Sequence, residues 1–206
     1  LHLYALKKLG AKIKIKNGYI FANAKKGLKG SIIKFPKISV GATENAILAA
    51  VNAKGKTVLI NSAIEPEIKD LIIFLKKIGS EISIEKINIK IIGNKKNNKV
   101  SHKIMFDRIE LGTYIIAAVI SGTKISFSKI NPKIVKTEID ILKKMGARIK
   151  IYSDRLEVYK TQKFNKIKIK TEPYPGFPTD LQAQIMVLMT KAKGKSKIKE
   201  RICENR

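Results

Sequence analysis

The chain is predicted to be a soluble α/β protein assembled from a repeated unit of about seventy residues, and three observations carry that prediction. Leu6-Lys7-Lys8-Leu9-Gly10 recurs as Leu75-Lys76-Lys77-Ile78-Gly79 and Leu142-Lys143-Lys144-Met145-Gly146, with glycines 69 and 67 residues apart. A second series, ending in Gly55, Gly122 and Gly194 with spacings of 67 and 72, interleaves with the first. Apolar stretches at helical spacing alternate with short strand-like runs, and none approaches the roughly 18 apolar residues that a membrane span needs.

In the first series each glycine follows apolar positions at helical spacing, where a left-handed residue closes a helix. Strands are expected next, over Lys12 to Lys16, Glu81 to Ile84 and Arg148 to Tyr152. The first runs through Asn17-Gly18, a two-residue hairpin turn, into Tyr19-Ile20-Phe21. In the second series helices are expected over Asn45–Val51, Tyr114–Ile120 and Leu181–Met189. Strands follow at Thr57 to Ile60 and Lys124 to Phe127, then helices opened by Pro66 and Pro132, since proline fits a first turn. The unit is therefore helix, strand, helix, then a run of strands. The polar stretch from Gly93 to Lys99 reads as a loop, with a domain boundary expected near Lys103–Phe106.

The net charge of +27 invites a nucleic-acid reading. Against it, 38 of the 43 basic residues are lysine. Nucleic-acid readers favour the planar fork of arginine, and single-strand binders add stacking aromatics. Here aromatics are 6% and tryptophan is absent. Lys12-Ile13-Lys14-Ile15-Lys16 and Lys166-Ile167-Lys168-Ile169-Lys170 alternate like half-buried strands with a solvated lysine face. A joint excess of Lys, Ile and Asn is also what AT-rich codon usage produces. Cys203 is the single cysteine, which excludes an internal disulfide framework, and a reducing cytoplasmic setting fits. His2 and His102 are too few and dispersed for a metal cluster, and no cofactor is implied.

Four segments could carry chemistry. The least generic is Pro173-Tyr174-Pro175-Gly176-Phe177-Pro178-Thr179-Asp180-Leu181-Gln182-Ala183-Gln184. Thr179 or Asp180 is either an N-cap or, for Asp180, a general base held at a pocket edge by a stiff loop. In Lys37-Ile38-Ser39-Val40-Gly41-Ala42-Thr43, Ser39 or Thr43 caps the following helix, or the helix start with Gly41 and Lys37 seats a phosphate. Asp107-Arg108-Ile109-Glu110 reads as a surface salt-bridge cluster, and Glu65-Pro66-Glu67 as an acidic helix start favoured by the dipole. Cys203 reads as a small buried apolar filler, with no histidine to activate it.

Taken in chain order, from Lys37 to Arg206, these segments, with Gly112-Thr113 and Glu204-Asn205-Arg206, resemble the UDP-N-acetylglucosamine enolpyruvyl transferases (1-carboxyvinyltransferases) across the whole chain. The Phe-Pro-Thr-Asp segment is the most specific. The resemblance implies two similar domains, each an inside-out α/β barrel of βαβαββ units, with substrates in the cleft between them. It assigns 1–104 to part of the first domain and 105–206 to part of the second. The chain is then the middle half of such an enzyme. It opens at Leu1 without methionine and ends at Arg206 among charged residues, so the remaining parts of the same enzyme are expected on either side.

The implied reaction moves the enolpyruvyl group of phosphoenolpyruvate to the 3-hydroxyl of UDP-N-acetylglucosamine, the committed step of peptidoglycan synthesis. By resemblance Asp180 contacts and deprotonates that hydroxyl. Lys37, Ser39 and Val40, with adjacent Gly41, hold the nucleotide, as does Ile202, and Arg206 lies near phosphoenolpyruvate, offsetting its charge. Glu65 and Asp107 match acidic positions with no assigned step. The family's reactive-loop cysteine would lie upstream of Leu1, and Cys203 is not its counterpart; it stands where an aromatic is usual. Ile64 and Leu111 replace more usual polar or small residues. The chain alone is expected neither to turn over nor to complete a cleft. The sister transferase acting on shikimate 3-phosphate shares the architecture but is not expected to carry the Phe-Pro-Thr-Asp-Leu-Gln-Ala-Gln stretch. The other readings are a basic nucleic-acid-binding module or a pseudogene product without present activity.

Overall fold

The computed structural model describes residues 1–93 and 98–203. The chain divides into two compact units, Leu1–Met105 and Phe106–Arg206. Of the polar loop read from the sequence, residues 94–97 lie outside the described residues, as do Glu204, Asn205 and Arg206.

The first unit opens with α1 (His2–Lys8), followed by β1 (Lys12–Lys16) and β2 (Tyr19–Asn23). These strands pair antiparallel about Asn17-Gly18, whose φ angles of 51° and 78° are the left-handed pair that a two-residue hairpin requires. Next come β3 (Ile32–Lys34), α2 (Val40–Ala50), β4 (Lys56–Ile60), α3 (Pro66–Ile78), β5 (Glu81–Glu85) and β6 (Asn88–Ile92). They build a sheet of order β3-β4-β6-β5, in which β3 and β4 are parallel across the α2 crossover and the other pairs antiparallel. Pro66 opens α3 and Gly79, at φ 115°, ends it. The inward residues Ile33, Leu59, Ile89 and Ile91 are each 0% exposed and meet the alanine-rich face of α2, Ala42, Ala46 and Ala50. Small side chains let that helix lie close to the sheet. Each buried isoleucine or leucine contributes about 1.5–3 kcal/mol over its exposed state.

The second unit contains α4 (Arg108–Ser121), β7 (Ile125–Ser128), a 3-10 turn at Pro132–Val135, α5 (Lys136–Lys144), β8 (Arg148–Ile151) and β9 (Arg155–Tyr159). Its sheet order, β7-β9-β8, repeats the β4-β6-β5 arrangement of the first unit. Then follow β10 (Phe164–Asn165), β11 (Lys168–Lys170), a 3-10 turn at Thr179–Leu181, α6 (Gln182–Met189), β12 (Ala192–Lys193) and β13 (Lys197–Lys199). β11 pairs parallel with β13 across α6, as β3 does with β4 across α2. Thus the seventy-residue period is a repeated crossover, helix and hairpin. A separate core forms here, with Ile115, Val119, Leu156, Val158 and Ile185 fully enclosed.

Three readings need correction. The Lys-Ile alternation of β1 does not make a half-buried strand: Ile15 is 68% exposed, and Tyr19, Ile20 and Phe21 of β2 are 72%, 55% and 57%. Only Ile13 of β1 is part-covered, because among the described residues no second layer lies over this hairpin. Two helices start earlier than apolar periodicity implies, since α2 is opened by Ser39 and α4 by Asp107, whose side chains accept helix N–H bonds. Arg108 is buried (7% exposed), so its neighbourhood is not a surface salt-bridge cluster. The acidic helix start read at Glu65-Pro66-Glu67 holds: Glu65 is the N-cap of α3 and Glu67 lies in its first turn.

Candidate active site

The corner leading to Asp180 is built by backbone closure. Thr171, just past β11, forms a parallel bridge with Phe177, and the Glu172 N–H donates to the Phe177 carbonyl at 3.0 Å. Inside this loop the Gly176 N–H donates to the Pro173 carbonyl at 2.8 Å, and Tyr174-Pro175 is cis. A Cβ at Gly176 would stand 2.5 Å from Glu172 Cβ and 2.9 Å from the Pro173 oxygen, so glycine alone fits. The Thr137 hydroxyl of α5 holds the Pro175 carbonyl. The Arg108 guanidinium lies 5.8 Å from the centroid of the Tyr174 ring.

Next to the loop, Phe177 and Leu181 are buried, and Leu181 packs where a Cβ on Gly112 of α4 would come within 2.5 Å of it. Gln184 Nε2 donates to Thr113 Oγ1 at 2.9 Å, a second tie to α4. Between buried Thr179 and buried Leu181, Asp180 is exposed. A closed corner therefore holds an exposed aspartate between two buried neighbours. The expected cap is absent: Pro178 occupies the N-cap of the 3-10 turn, without a side-chain cap bond, and the Thr179 hydroxyl is directed elsewhere.

That hydroxyl donates to Glu200 Oε2 at 2.9 Å. Glu200 Oε1 accepts from Thr171 Oγ1 at 2.8 Å, from the Ile202 N–H at 2.6 Å and from the Cys203 N–H at 2.9 Å. Burial alone would raise the Glu200 pKa, but the backbone N–H groups of Cys203 and Ile202 and the two threonine hydroxyls outweigh it and hold the carboxyl down at about 2. One carboxylate thus links the end of β11, the Asp180 corner and the turn bearing Ile202. Sequence reading missed Glu200, because it lies in a charged stretch 20 residues from Asp180 and 29 from Thr171. Cys203 is half-buried and not the enclosed apolar filler expected, since its backbone turns back onto Glu200.

In the first unit the expected nucleotide contacts lie together at the start of α2. Lys37 is exposed in the turn after β3, and Ser39 is the N-cap, its Oγ accepting from the Ala42 N–H at 3.4 Å. Val40 and Gly41 form the first helical turn and do not precede it as a loop. A Cβ at Gly41 would come 3.2 Å from the His2 ring, whose Nδ1 lies 3.1 Å from Asn45 Nδ2. Thr43 is no cap: its buried hydroxyl donates to the Ser39 carbonyl at 2.8 Å and accepts from the Ala63 N–H at 3.0 Å, fixing α2 to the segment after β4. Burial raises the Glu44 carboxyl pKa, and the charges of Glu67 and Glu65 add to that. The Asp107 carboxylate accepts from the N–H groups of Ile109 and Glu110 at 2.7 and 3.1 Å, a capping role. Asp180 and Ile202 belong to the second unit, and Arg206 lies outside the described residues. Among the described residues no group of three or more His, Cys, Asp or Glu could hold a metal ion, and no helix is long and apolar enough to cross a membrane.

The family model for EPSP synthase (3-phosphoshikimate 1-carboxyvinyltransferase) matches residues 1–206. The chain is 54% identical, over its whole length, to a UDP-N-acetylglucosamine 1-carboxyvinyltransferase of Pelagibacter ubique, covering 50% of that protein. It is 44% identical to the protein of the same name from Caulobacter sp. strain K31, covering 48% of it. The chain thus spans about half the length of these relatives. Among solved structures, the enolpyruvyl transferase NikO from Streptomyces tendae superposes with a TM-score of 0.84 at 20% identity, over 99% of this chain and 52% of that one. EPSP synthase from Acinetobacter baumannii gives 0.67 at 18% identity, over 94% and 46%. These two likenesses carry the fold alone: the inside-out α/β architecture.

Proposed function

The chain belongs to the EPSP synthase family, and from that premise we propose that it serves the transfer of the enolpyruvyl group of phosphoenolpyruvate to the 3-hydroxyl of UDP-N-acetylglucosamine. The substrate choice rests on the 54% identity to a relative of that name. The single observation that carries the chemistry is an exposed Asp180 on a corner whose loop closure, buried flanks and threonine ties leave it little freedom. Pre-positioning of this kind lets a carboxylate act as general base.

In the proposed sequence the sugar oxygen bonds to C2 of phosphoenolpyruvate while its proton passes to Asp180 and a proton drawn from solvent adds at C3. Return of a C3 proton to solvent then expels inorganic phosphate and restores the double bond. Lys37, Ser39, Val40 and Gly41 engage the nucleotide at the start of α2, and Ile202 supplies an apolar contact to it. Arg206 offsets phosphoenolpyruvate charge. Residues 1–104 and 105–206 are parts of the first and second domains, completed by the remaining parts of the same enzyme. Small molecules are the partners, and the product feeds peptidoglycan synthesis in the cytoplasm.

Isothermal titration of the chain with UDP-N-acetylglucosamine and with shikimate 3-phosphate tests the assignment. Binding to the uridine nucleotide, weakened by S39A, supports it. Preference for shikimate 3-phosphate, or uridine-nucleotide binding untouched by S39A, would overturn it.

A further inference from the structure

Resting on that reading, we propose that Glu200 is the positioning residue of the site: its carboxylate fixes the Asp180 corner and the Ile202-Cys203 turn in one frame, so that base and nucleotide contact are set together. Four donors from three separate segments converge on its two oxygens, at 2.6 to 2.9 Å. The division of labour between the oxygens is unequal. Among the described residues, Oε1 accepts from Thr171 and from two backbone N–H groups, whereas Oε2 accepts from Thr179 alone. Thr171 Oγ1 in turn accepts from the Arg201 N–H at 2.8 Å, which closes the ring of bonds around the end of β11. A second link runs outside it, with Arg201 Nη1 3.6 Å from Glu172 Oε1.

Such an arrangement needs an acceptor at both oxygens. Neither an apolar side chain nor a hydroxyl can receive four donors, and a buried N–H left without an acceptor is costly. The depressed titration of Glu200 agrees with this, because donors that converge on a carboxylate favour its charged form. Asp180 contributes none of these four bonds; Glu200 reaches its backbone through Thr179, the residue before it.

The asymmetry supplies the test. In E200Q the amide oxygen replaces Oε1 and keeps three donors, while the NH₂ faces the Thr179 hydroxyl, which must then turn and accept. Backbone amide exchange and chemical shifts of the 15N-labelled 206-residue chain are measured for wild type, E200Q and E200A. E200Q is expected to shift the Thr179 and Asp180 amides and to speed exchange at Leu181, leaving Ile202 and Cys203 protected. E200A is expected to speed exchange at Ile202 and Cys203 as well, by about tenfold or more. The amides of β7 and β9 report that the unit remains folded, and E200Q carries the test alone if E200A does not fold. An E200Q spectrum unchanged at Thr179 and Asp180, or loosened at Ile202 and Cys203 as well, overturns the proposal. The same samples are titrated with UDP-N-acetylglucosamine, where E200Q should bind about tenfold more weakly than wild type. Preference of wild type for shikimate 3-phosphate over UDP-N-acetylglucosamine refutes the substrate assignment, and the ligand-free amides still decide the role of Glu200.

Discussion

Replacing Gly176 by alanine adds a single carbon, and the corner has no room for it. The new Cβ would lie 2.5 Å from Glu172 Cβ, 2.9 Å from the Pro173 oxygen and 3.0 Å from the Glu172 oxygen. No rotamer relieves these contacts, because Cβ is fixed by the backbone and all three neighbours lie on or next to the main chain. The loop must open, which strains the Gly176 N–H bond to Pro173 and the Glu172 N–H bond to Phe177. Overpacking costs about 1–3 kcal/mol and each of the two weakened bonds about 1 kcal/mol, so roughly 3–5 kcal/mol is expected in all. At about 4–8 °C per kcal/mol for a unit near a hundred residues, Tm should fall by about 12–40 °C. Circular dichroism melts measure it, tyrosine serving as the fluorescent probe since the chain has no tryptophan. Gly27→Ala is the control: its φ of 76° is unfavourable for alanine, but nothing lies within 4 Å, so about 1 kcal/mol should be lost. If G176A destabilises no more than G27A, the steric account of the corner is wrong.

Other consequences follow from the same geometry. Asp107→Ala removes an acceptor from two helix N–H groups and should cost about 1–2 kcal/mol by urea unfolding, whereas S39A, losing one bond of 3.4 Å, should cost less than about 1 kcal/mol. Leu59→Ala, at a fully enclosed position of β4, should cost about 2–5 kcal/mol. Ile20→Lys, on the uncovered hairpin, should change stability by less than about 0.5 kcal/mol. The pH dependence has a definite sign. Glu200 titrates at about 2 when folded, below its ordinary 4.5, so its contribution is present above pH 4.5 and is lost as pH falls toward 2; E200Q should flatten that acid limb. Glu138 runs the other way: burial raises its pKa, so its contribution is present below 4.5 and is lost as pH rises through the folded value, and E138Q should raise stability at neutral pH.

The repeat was readable because glycine marks a conformation that other residues avoid. Gly10, Gly79 and Gly146 have φ of 95°, 115° and 102°, and Gly55, Gly122 and Gly194 have 91°, 70° and 91°. Gly10, Gly79, Gly122 and Gly146 lie within two residues of where α1, α3, α4 and α5 end, whereas Gly55 and Gly194 stand several residues past α2 and α6, just before the strands that follow. Helix starts were less legible, since α2 and α4 begin at the caps Ser39 and Asp107, several residues before the apolar stripe becomes evident. Coverage was not legible at all in β1 and β2. Alternation says that a strand has two faces, not that anything lies over either one. Asp180 stood out locally because prolines and a glycine crowd before it. Glu200 did not, because its four donors lie 2, 3, 21 and 29 residues away, and a lysine-rich neighbourhood hides one carboxylate among many charges.

The exposed hairpin has a consequence for handling the protein. β6 and β9 each lie between two partners, while β2 pairs only with β1, so among the described residues one of its edges offers unmatched main-chain donors and acceptors beside Tyr19, Ile20 and Phe21. Open edges of that kind recruit identical edges from other molecules. What keeps copies apart is the row Lys12, Lys14 and Lys16 on the neighbouring strand, backed by a net charge of +27. Such repulsion is screened within about 8 Å at 0.15 M salt and within 3 Å at 1 M. Ionic strength should therefore govern whether the protein stays dispersed, with concentrated salt favouring sticky, strand-mediated clusters and dilute buffer dissolving them.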